Sequence, residues 1–464
     1  MANIIPNEAV PATDYYQSCF QDPVYDTRVV ESDFPFYYPT SGIRNVTTLR
    51  WNIPAKKGPY VHDFSRLILA EHVKITNKAR TDGAAVGIKC GPANNFILSM
   101  FKCLKIQFNH TVVCQIEDYP IYNYVSTLLR YDNNDMTTHL AGRCFAKEPA
   151  LEFDTVPNYG WTTRRNDFGK IQKAKLEGEQ VEGNHFVYSE LATFFMTDLE
   201  HYLPTFGYLP DIDVTIELQL AKPEYCFQGD KADAPYDINY AFERVKLFVP
   251  EYKLNDQLFL AIQNKLSNQA IRQYFTSTDI STYSIPTGTR SHILDTVGMG
   301  KMPQRIFVLL QETSRYRGDF KTNCFKFGRF FNTGGPPETP FMLESVKCWL
   351  ANVEVEGLAA DTATHSFRDQ YYRFFTLLNQ KGGRTANSIT LEDFTNSSCF
   401  LIYDFTATNN QTPDPLIPLI KAGHLRLEIN FQAESTCPMM CIVMMESSSS
   451  LTMEKGGKVT LSAL

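Results

Sequence analysis

The stretch FKCLKIQFN at residues 101–109 is typical of an aromatic-rich β-strand. A second stretch of this kind, VKCWLANVEVE, occupies residues 346–356, and each stretch has a Lys-Cys pair near its start. A single match between short aromatic strands carries little weight. Further matches in the same order would indicate that the chain contains a duplicated unit.

Other segments correspond in the same order. The apolar stretch that begins at Arg66 resembles the one that begins at Arg305, and two helical patterns contain Thr-Leu-Leu, starting at Thr127 and Thr376. The series therefore predicts one unit that occurs twice. Two late strands, in which apolar and polar residues alternate, complete it: residues 212–220 and 425–431.

We predict an all-β fold with a few short helices, built as two tandem eight-stranded jelly-roll sandwiches. Strands with one apolar face must bury that face, and long connections favour jelly rolls over barrels with tight hairpins. Leu258, Ile262 and Leu266 recur every four residues and predict a helix near 255–268. The predicted divisions are an extended N-terminal arm at 1–60, a first jelly roll at 61–250 with a long loop insertion at about 131–210, the linker helix and second jelly roll at 251–446, and a C-terminal tail at 447–464.

The composition is that of a globular protein. Of the 464 residues, 43% are hydrophobic and 20% are charged. The net charge of −7 argues against a protein that coats nucleic acid, and we expect no sequence-specific nucleic-acid partner. We expect neither a secretory signal nor a membrane-spanning segment. The cysteines, 11 in all, follow no framework spacing and are expected to serve mainly as small apolar core residues.

The motifs of common catalytic sites are missing from the sequence. The glycines and lysine of GMGKMP at 298–303 lack the spacing of a phosphate-binding loop, and no G-x-S-x-G nucleophile elbow occurs. The histidines are dispersed, there is no paired CxxC, and the spacing of Cys437 and Cys441 suits two core residues on one strand face. We therefore expect no cofactor, no metal and no enzymatic activity.

Two alternative functions remain open for a jelly-roll protein. One is a carbohydrate- or receptor-binding protein without catalysis, because the same fold serves lectins. Among Trp51, Trp161 and Trp349, only Trp161 is predicted to lie in a loop where it could stack on a sugar. The other alternative is a cupin-like or glycoside-hydrolysing enzyme, which the dispersed histidines disfavour.

One block of sequence resembles a known family. GPANNFILSMFKCLKIQFNHTVV at 91–113, followed by YPIYNYVSTLLRY at 119–131, resembles the double jelly-roll major capsid proteins of Polinton/Maverick-type elements and adintovirus-like DNA viruses. DTVPNYGWTTRR at 154–165 is similar to a further loop of that family, with Trp161 where an aliphatic residue is more usual. The positions that match the family motif are Gly91, Pro92, Asn94, Asn95, Tyr119 and Pro120.

The resemblance implies a function in assembly. In that family the chain forms a homotrimer, a pseudo-hexagonal capsomer whose copies tile an icosahedral shell around a DNA genome. The implied partners are other copies of the chain and penton or minor capsid proteins. The implied location is the virion capsid, after synthesis in the host cell cytoplasm. Loops such as the one at about 131–210 would form the outer crown and lateral contacts.

Overall fold

The computed structural model describes most of the chain in separate ranges. These ranges are 27–44, 46–64, 67–77, 90–169, 182–190, 211–230, 238–298, 302–331, 341–355, 360–361, 367–378, 389–407, 420 and 423–463. Every structural statement below concerns these residues.

The first half of the chain consists mainly of strands. They are β1 Val29–Asp33, β2 Phe36–Tyr37, β3 Thr48–Ile53, β4 Tyr60–His62, β5 Ile68–Asn77, β6 Cys90–Pro92, β7 Phe101–Phe108, β8 Thr111–Ile116, β9 Glu182–Glu190, β10 Val214–Leu220, β11 Phe227–Gly229, β12 Ile238–Phe248 and β13 Glu251–Leu254.

The second half has the same character. Its strands are β14 Ile271–Ile285, β15 Ser291–Val297, β16 Arg305–Glu312, β17 Phe330–Phe331, β18 Phe341–Leu350, β19 Val353–Glu354, β20 Ala360–Asp361, β21 Leu401–Asp404, β22 Leu425–Phe431, β23 Met439–Met453 and β24 Val459–Ala463.

Short helices connect the strands. They are α1 Phe96–Ser99, α2 Tyr119–Arg130, α3 Asn133–Thr137, α4 Tyr159–Gly169, α5 Pro223–Cys226, α6 Asp256–Asn268, α7 Thr313–Arg317, α8 Phe367–Leu377 and α9 Leu391–Asn396, with a 3-10 helix at His139–Arg143. None of the helices in the described ranges is long and apolar enough to cross a membrane.

The two halves have the same sheet topology. In the first half the sheets run β2-β12-β5-β9 and β3-β10-β7-β8. In the second half β14-β23-β16-β21 form one sheet, and β15-β22-β18 with β19 on β18 form the other. When the eight strands named for these two sheets are ranked by chain order within each half, both halves pair them as 1-8-3-6 and 2-7-4-5. This is the jelly-roll arrangement, and it confirms the predicted fold of two tandem jelly rolls.

Alternation along the late strands places the core between the sheets. Leu425, Leu427, Ile429 and Phe431 of β22 are all buried, and the residues between them are only half-buried. On β10, Val214, Ile216 and Leu218 are fully buried in the same way. Both inward faces agree with the sequence pattern, because successive side chains of a strand point to opposite sides.

The two Lys-Cys strands are equivalent as strands but not residue by residue. β7 and β18 each rank fourth in their sandwich. Cys348 pairs with Leu427 and is fully buried on the inner face. Cys103 pairs with Gln219, faces outward, and donates a hydrogen bond to Glu117 at 3.6 Å. A β-bulge at the start of β7 causes this difference, because one extra residue exchanges the two faces.

The structure corrects the predicted ends of the chain. Residues 48–53, assigned to the N-terminal arm, form β3 inside the first sandwich, with Trp51 fully buried. Residues 447–464 are not a separate tail, because β23 continues through residue 446 to Met453 and β24 pairs with it. Polar residues made these strands hard to recognise from the sequence: Ser447, Ser448 and Ser449 of β23 are buried, although serines are not typical core residues, and they pair with β14.

Two other predicted segments can be compared with the structure. The helix expected at 255–268 is confirmed as α6, and the side chain of Asn255 accepts a hydrogen bond from the Gln257 amide at its start. The insertion expected at about 131–210 is more than a loop, because it contains α3, α4 and the sixth strand, β9. Residues 170–181 and 191–210 of this insertion lie outside the described ranges.

Candidate functional site at the junction of the two sandwiches

The first two motif residues lie on β6, a short strand paired with β11. A Cβ atom at Gly91 would lie 2.9 Å from Nε1 of Trp161, so a larger residue would displace the buried indole. The carbonyl of Pro92 accepts a hydrogen bond from Nε of Arg164 at 3.0 Å. Both residues therefore hold helix α4, which carries Trp161 and Arg164, against the strand pair.

The asparagines of the motif are fully buried. Nδ2 of Asn94 donates to the carbonyl of Ala146 at 2.8 Å and to Oε2 of Glu148 at 3.0 Å, and its Oδ1 accepts from the Ala146 amide at 3.1 Å. Asn95 has a φ of 54°, a left-handed conformation that asparagine adopts more readily than most residues. Together they turn the chain from β6 into α1 and fix the segment at 146–148.

Arg164 and Glu148 form an ion pair that is completely excluded from solvent. Nη2 of Arg164 donates to Oε1 of Glu148 at 2.6 Å, and Nη1 donates to the Ala146 carbonyl at 2.6 Å. A buried charge of this kind is tolerated only when its hydrogen-bonding groups are satisfied. Here Asn94 and Pro92 supply the remaining partners, which explains why these motif positions cluster around one arginine.

The other two motif residues begin helix α2. Asp118, which precedes the helix, has a φ of 51°, and Pro120 occupies the first turn, where its missing N–H costs nothing. The Tyr119 ring is fully buried, and this burial raises the pKa of its hydroxyl. Further along α2, Tyr124 stacks on Phe325 of the second sandwich, with ring centroids 4.5 Å apart. The helix that the motif starts is therefore a contact element between the two halves.

The polar network continues from Glu148 into the second half. Nδ2 of Asn323 donates to Oε1 of Glu148 at 3.1 Å and lies 3.3 Å from Oε1 of Gln228. Asn323 is itself buried. One glutamate of the first sandwich thus binds both an arginine of its own half and an amide of the other half.

A second ionic contact crosses the junction beside the first. Nη2 of Arg315 donates to Oδ2 of Asp154 at 2.9 Å, and Nζ of Lys326 donates to the same oxygen at 3.1 Å. Burial favours the neutral acid, but the two cations outweigh this effect and hold the pKa of Asp154 well below its usual range. Burial likewise disfavours the charged form of Arg315, but Asp154 and Glu312 raise its pKa.

The C-terminal hairpin makes a third connection. Nδ2 of Asn109, in the turn after β7, donates to the carbonyl of Gly457 at 2.6 Å, and Oγ1 of Thr111 donates to the carbonyl of Val459 at 3.3 Å. A Cβ atom at Gly457 would lie 2.5 Å from the Asp211 carbonyl. The C-terminal hairpin of the second sandwich therefore contacts the first sandwich directly.

The structure brings together residues that sequence reasoning found and residues that it missed. All six motif positions lie at or next to the junction. Glu148, Arg315 and Asn323 belong to no recognisable pattern, and only their contacts across the fold reveal them. The prediction that Trp161 lies in a loop where it could stack on a sugar is wrong. Trp161 lies on α4, is 2% exposed, and its Nε1 donates a hydrogen bond to the Gln228 carbonyl at 3.0 Å, so its ring is not accessible to a sugar.

The chemistry of the junction is that of a structural contact. Within the described ranges, no group of three or more His, Cys, Asp or Glu residues is arranged to hold a metal ion. The cysteines of these ranges are free thiols. Burial raises the pKa of the Cys348 thiol to about 12, and that of Cys441 also to about 12, as expected for core residues.

Comparison with known proteins adds to the description of the fold. Neither a family model nor a curated protein matches the sequence. Solved structures do match. A chain of the Sputnik virophage superposes with a TM-score of 0.60 at 11% identity, covering 96% of this chain and 90% of that one.

Two named capsid proteins match over a similar extent. The mavirus major capsid protein gives a TM-score of 0.56 at 11% identity and covers 98% of this chain and 95% of its own. The Faustovirus major capsid protein gives a TM-score of 0.56 at 9% identity and covers 95% of this chain and 94% of its own. At these identities the likeness concerns the fold, and the chain has the double jelly-roll fold over nearly its whole length.

Proposed function

We propose that this chain is a major capsid protein of the kind found in Polinton/Maverick-type elements and related DNA viruses, and that it works by assembly without catalysis. The observation that carries this proposal is the match, over nearly the full length of both chains, to double jelly-roll major capsid proteins. The buried ion pairs and hydrogen bonds of the junction support it, because a shell unit with two sandwiches must keep them in one fixed orientation.

The proposed assembly is a homotrimer that acts as a pseudo-hexagonal capsomer and tiles an icosahedral shell around DNA. Three copies of a two-sandwich chain present six similar units, so three-fold symmetry gives approximately six-fold packing. Its partners would be other copies of the chain and penton or minor capsid proteins. Its location would be the virion capsid, after synthesis in the host cell cytoplasm.

An exposed aromatic strip is suited to contact between copies. Phe36 lies on β2, an edge strand of its sheet, and Phe34 and Tyr38 flank this strand. The three rings are 44% (Phe36), 45% (Phe34) and 58% (Tyr38) exposed. The ring of Phe36 packs against that of Phe248, with centroids 5.8 Å apart. Nζ of Lys246 lies 3.9 Å from the Phe36 ring centroid. Exposed apolar groups beside an open strand edge are typical of association surfaces.

Mass photometry of the purified protein tests the proposal. We expect particles of three times the chain mass of 52.9 kDa, and six-lobed particles in negative-stain images. A protein that stays monomeric at micromolar concentration, with no assembled particles, would contradict a capsid function.

A matched pair of variants tests the aromatic strip. Replacing Phe36 and Tyr38 by serine is expected to shift the protein from trimer to monomer, because the contact surface loses its apolar area. Tyr372→Ser removes a ring that is 70% exposed on α8 and serves as the control. Equal trimer fractions in the double variant and the control would exclude the strip from the interface.

A further inference from the structure

A crevice lies between the two sandwiches and is lined by residues of both. Its volume is about 450 Å³, within the range of small-ligand sites. The first sandwich contributes Lys102 from β7, Asp118 from the start of α2, and Lys222 and Tyr225 at α5. The second contributes Tyr316 and Arg317 from α7.

The charge of the crevice is positive. Lys102, Lys222 and Arg317 are exposed, and none of them forms a salt bridge within the described ranges. Asp118 is the carboxylate among the lining residues, and its Oδ2 already accepts a hydrogen bond from the Tyr316 hydroxyl at 2.9 Å. Three cations thus face a cavity with one carboxylate that is already hydrogen-bonded.

The walls are partly aromatic. Tyr225 and Tyr316 line the cavity, and Tyr225 is fixed by an edge-on contact with Phe325, with centroids 5.8 Å apart. The Tyr225 hydroxyl is buried and has no hydrogen-bond partner among the described residues. A wall of this composition offers apolar ring surface beside the three cations.

We propose that this crevice binds an acidic saccharide, with the carboxylate or sulfate held by Lys102, Lys222 and Arg317 and the sugar ring against Tyr225 and Tyr316. A flexible ammonium and a guanidinium fork both bind oxyanions well. The concave shape suits one or two rings. The inference does not depend on the capsid function, because the crevice lies within a single chain.

Isothermal titration of the intact protein tests the proposal with three probes. Sialyllactose carries a carboxylate, a heparin-derived disaccharide carries sulfates, and lactose is neutral. We expect binding of at least one acidic probe and none of lactose, and the probe that binds identifies the anionic group. Failure of both acidic probes to bind, or equal binding of lactose, would overturn the inference.

Matched variants locate the site. The triple variant with Lys102, Lys222 and Arg317 replaced by glutamine is expected to bind the acidic probe at least about tenfold more weakly, because charge-assisted hydrogen bonds are lost. The control replaces three exposed cations elsewhere, Lys57, Lys265 and Arg272, by glutamine. Equal weakening in both triple variants would show attraction to net charge alone and refute a site in the crevice.

Discussion

At the scale of single residues, the Arg164–Glu148 pair is the most sensitive point of the junction. Arg164→Met would leave Glu148 buried without its counter-ion, and we expect the free energy of unfolding to fall by about 3–5 kcal/mol. Urea denaturation measures this change. Arg50→Met is the control: its side chain is 48% exposed and lies 3.4 Å from Glu217, so the expected loss is below about 1 kcal/mol. Similar losses in the two variants would contradict the assignment.

Glu71 presents the opposite case, a carboxyl whose burial destabilises the fold. It is 2% exposed on β5, between inward-facing Leu69 and Val73, and no described residue hydrogen-bonds to its oxygens. Burial raises the pKa of Glu71 far above its usual value. Unfolding therefore releases a proton at pH values between the unfolded pKa of about 4.3 and the higher folded pKa, and stability is lost as pH rises through this interval.

The substitution Glu71→Gln tests this interpretation. We expect a higher melting temperature than the native protein at pH 8, and a difference that shrinks towards pH 4, where the native side chain is neutral in both states. Glu434→Gln, on the exposed surface, is the control, and its melting temperature should stay close to that of the native protein. A Glu71→Gln effect that does not change with pH would mean that the carboxyl is not the cause.

The sequence patterns identified corresponding strands correctly, but they did not show which way individual side chains face or which residues they contact. The Lys-Cys pair correctly matched β7 with β18, but Cys103 faces outward and Cys348 inward. A bulge adds one residue to a strand without changing its composition, so the pattern could not show it. The asparagines of the motif were recognised by resemblance, yet their partner Glu148 was not, because contacts between distant segments leave no local pattern.

At the scale of elements, the C-terminal hairpin is the part with the clearest test. Gly456 and Gly457 have φ values of 87° and 77°, so alanine strains the backbone at both. Only Gly457 also meets neighbours, the Asp211 carbonyl and Asn109 Nδ2, whereas Gly456 faces open space. We expect Gly457→Ala to lower the melting temperature clearly more than Gly456→Ala.

A second measurement assigns the difference to the junction. Hydrogen exchange at Asn109 and the neighbouring turn should increase in Gly457→Ala and stay unchanged in Gly456→Ala. Equal melting temperatures and equal exchange in the two variants would show that the hairpin does not hold the first sandwich.

Elements that form because of a local sequence pattern were predicted correctly, whereas elements that depend on pairing with a distant strand were not. Helix α6 was found because Leu258, Ile262 and Leu266 recur with helical spacing, a local property. Strand β23 was cut short at 446, because Ser447, Ser448 and Ser449 do not look like core residues. They are buried by pairing with β14, and such burial depends on a neighbour that the local sequence does not name.

At the scale of the whole molecule, the junction should weaken in acid. The folded pKa of Asp154 lies well below its unfolded value of about 3.9, so its ion pair with Arg315 contributes its full stability above that pH. This contribution decreases as pH falls from the unfolded pKa towards the folded pKa, where the ion pair itself breaks. We expect small-angle scattering to show an increase in the radius of gyration only well below pH 4, where the folded protein protonates Asp154.

Substitution of the aspartate provides the control for this acid effect. Asp154→Asn should weaken the junction already at pH 7 and reduce its further change in acid. Asp295→Asn, whose side chain is 84% exposed, should behave like the native protein. Identical acid profiles for the native protein and Asp154→Asn would assign the expansion to other carboxylates.

The seating of Gly457 on Asn109 has a consequence for biosynthesis. These two residues are 348 positions apart, which at about 5–20 residues per second separates their synthesis by roughly 20–70 s. In the later part of that interval, after β12 has been made, the strands of the first sandwich are present while its docking surface is still bare. Newly made chains therefore pass through a stage in which a chaperone could cover that surface, before the hairpin that contacts it has been made.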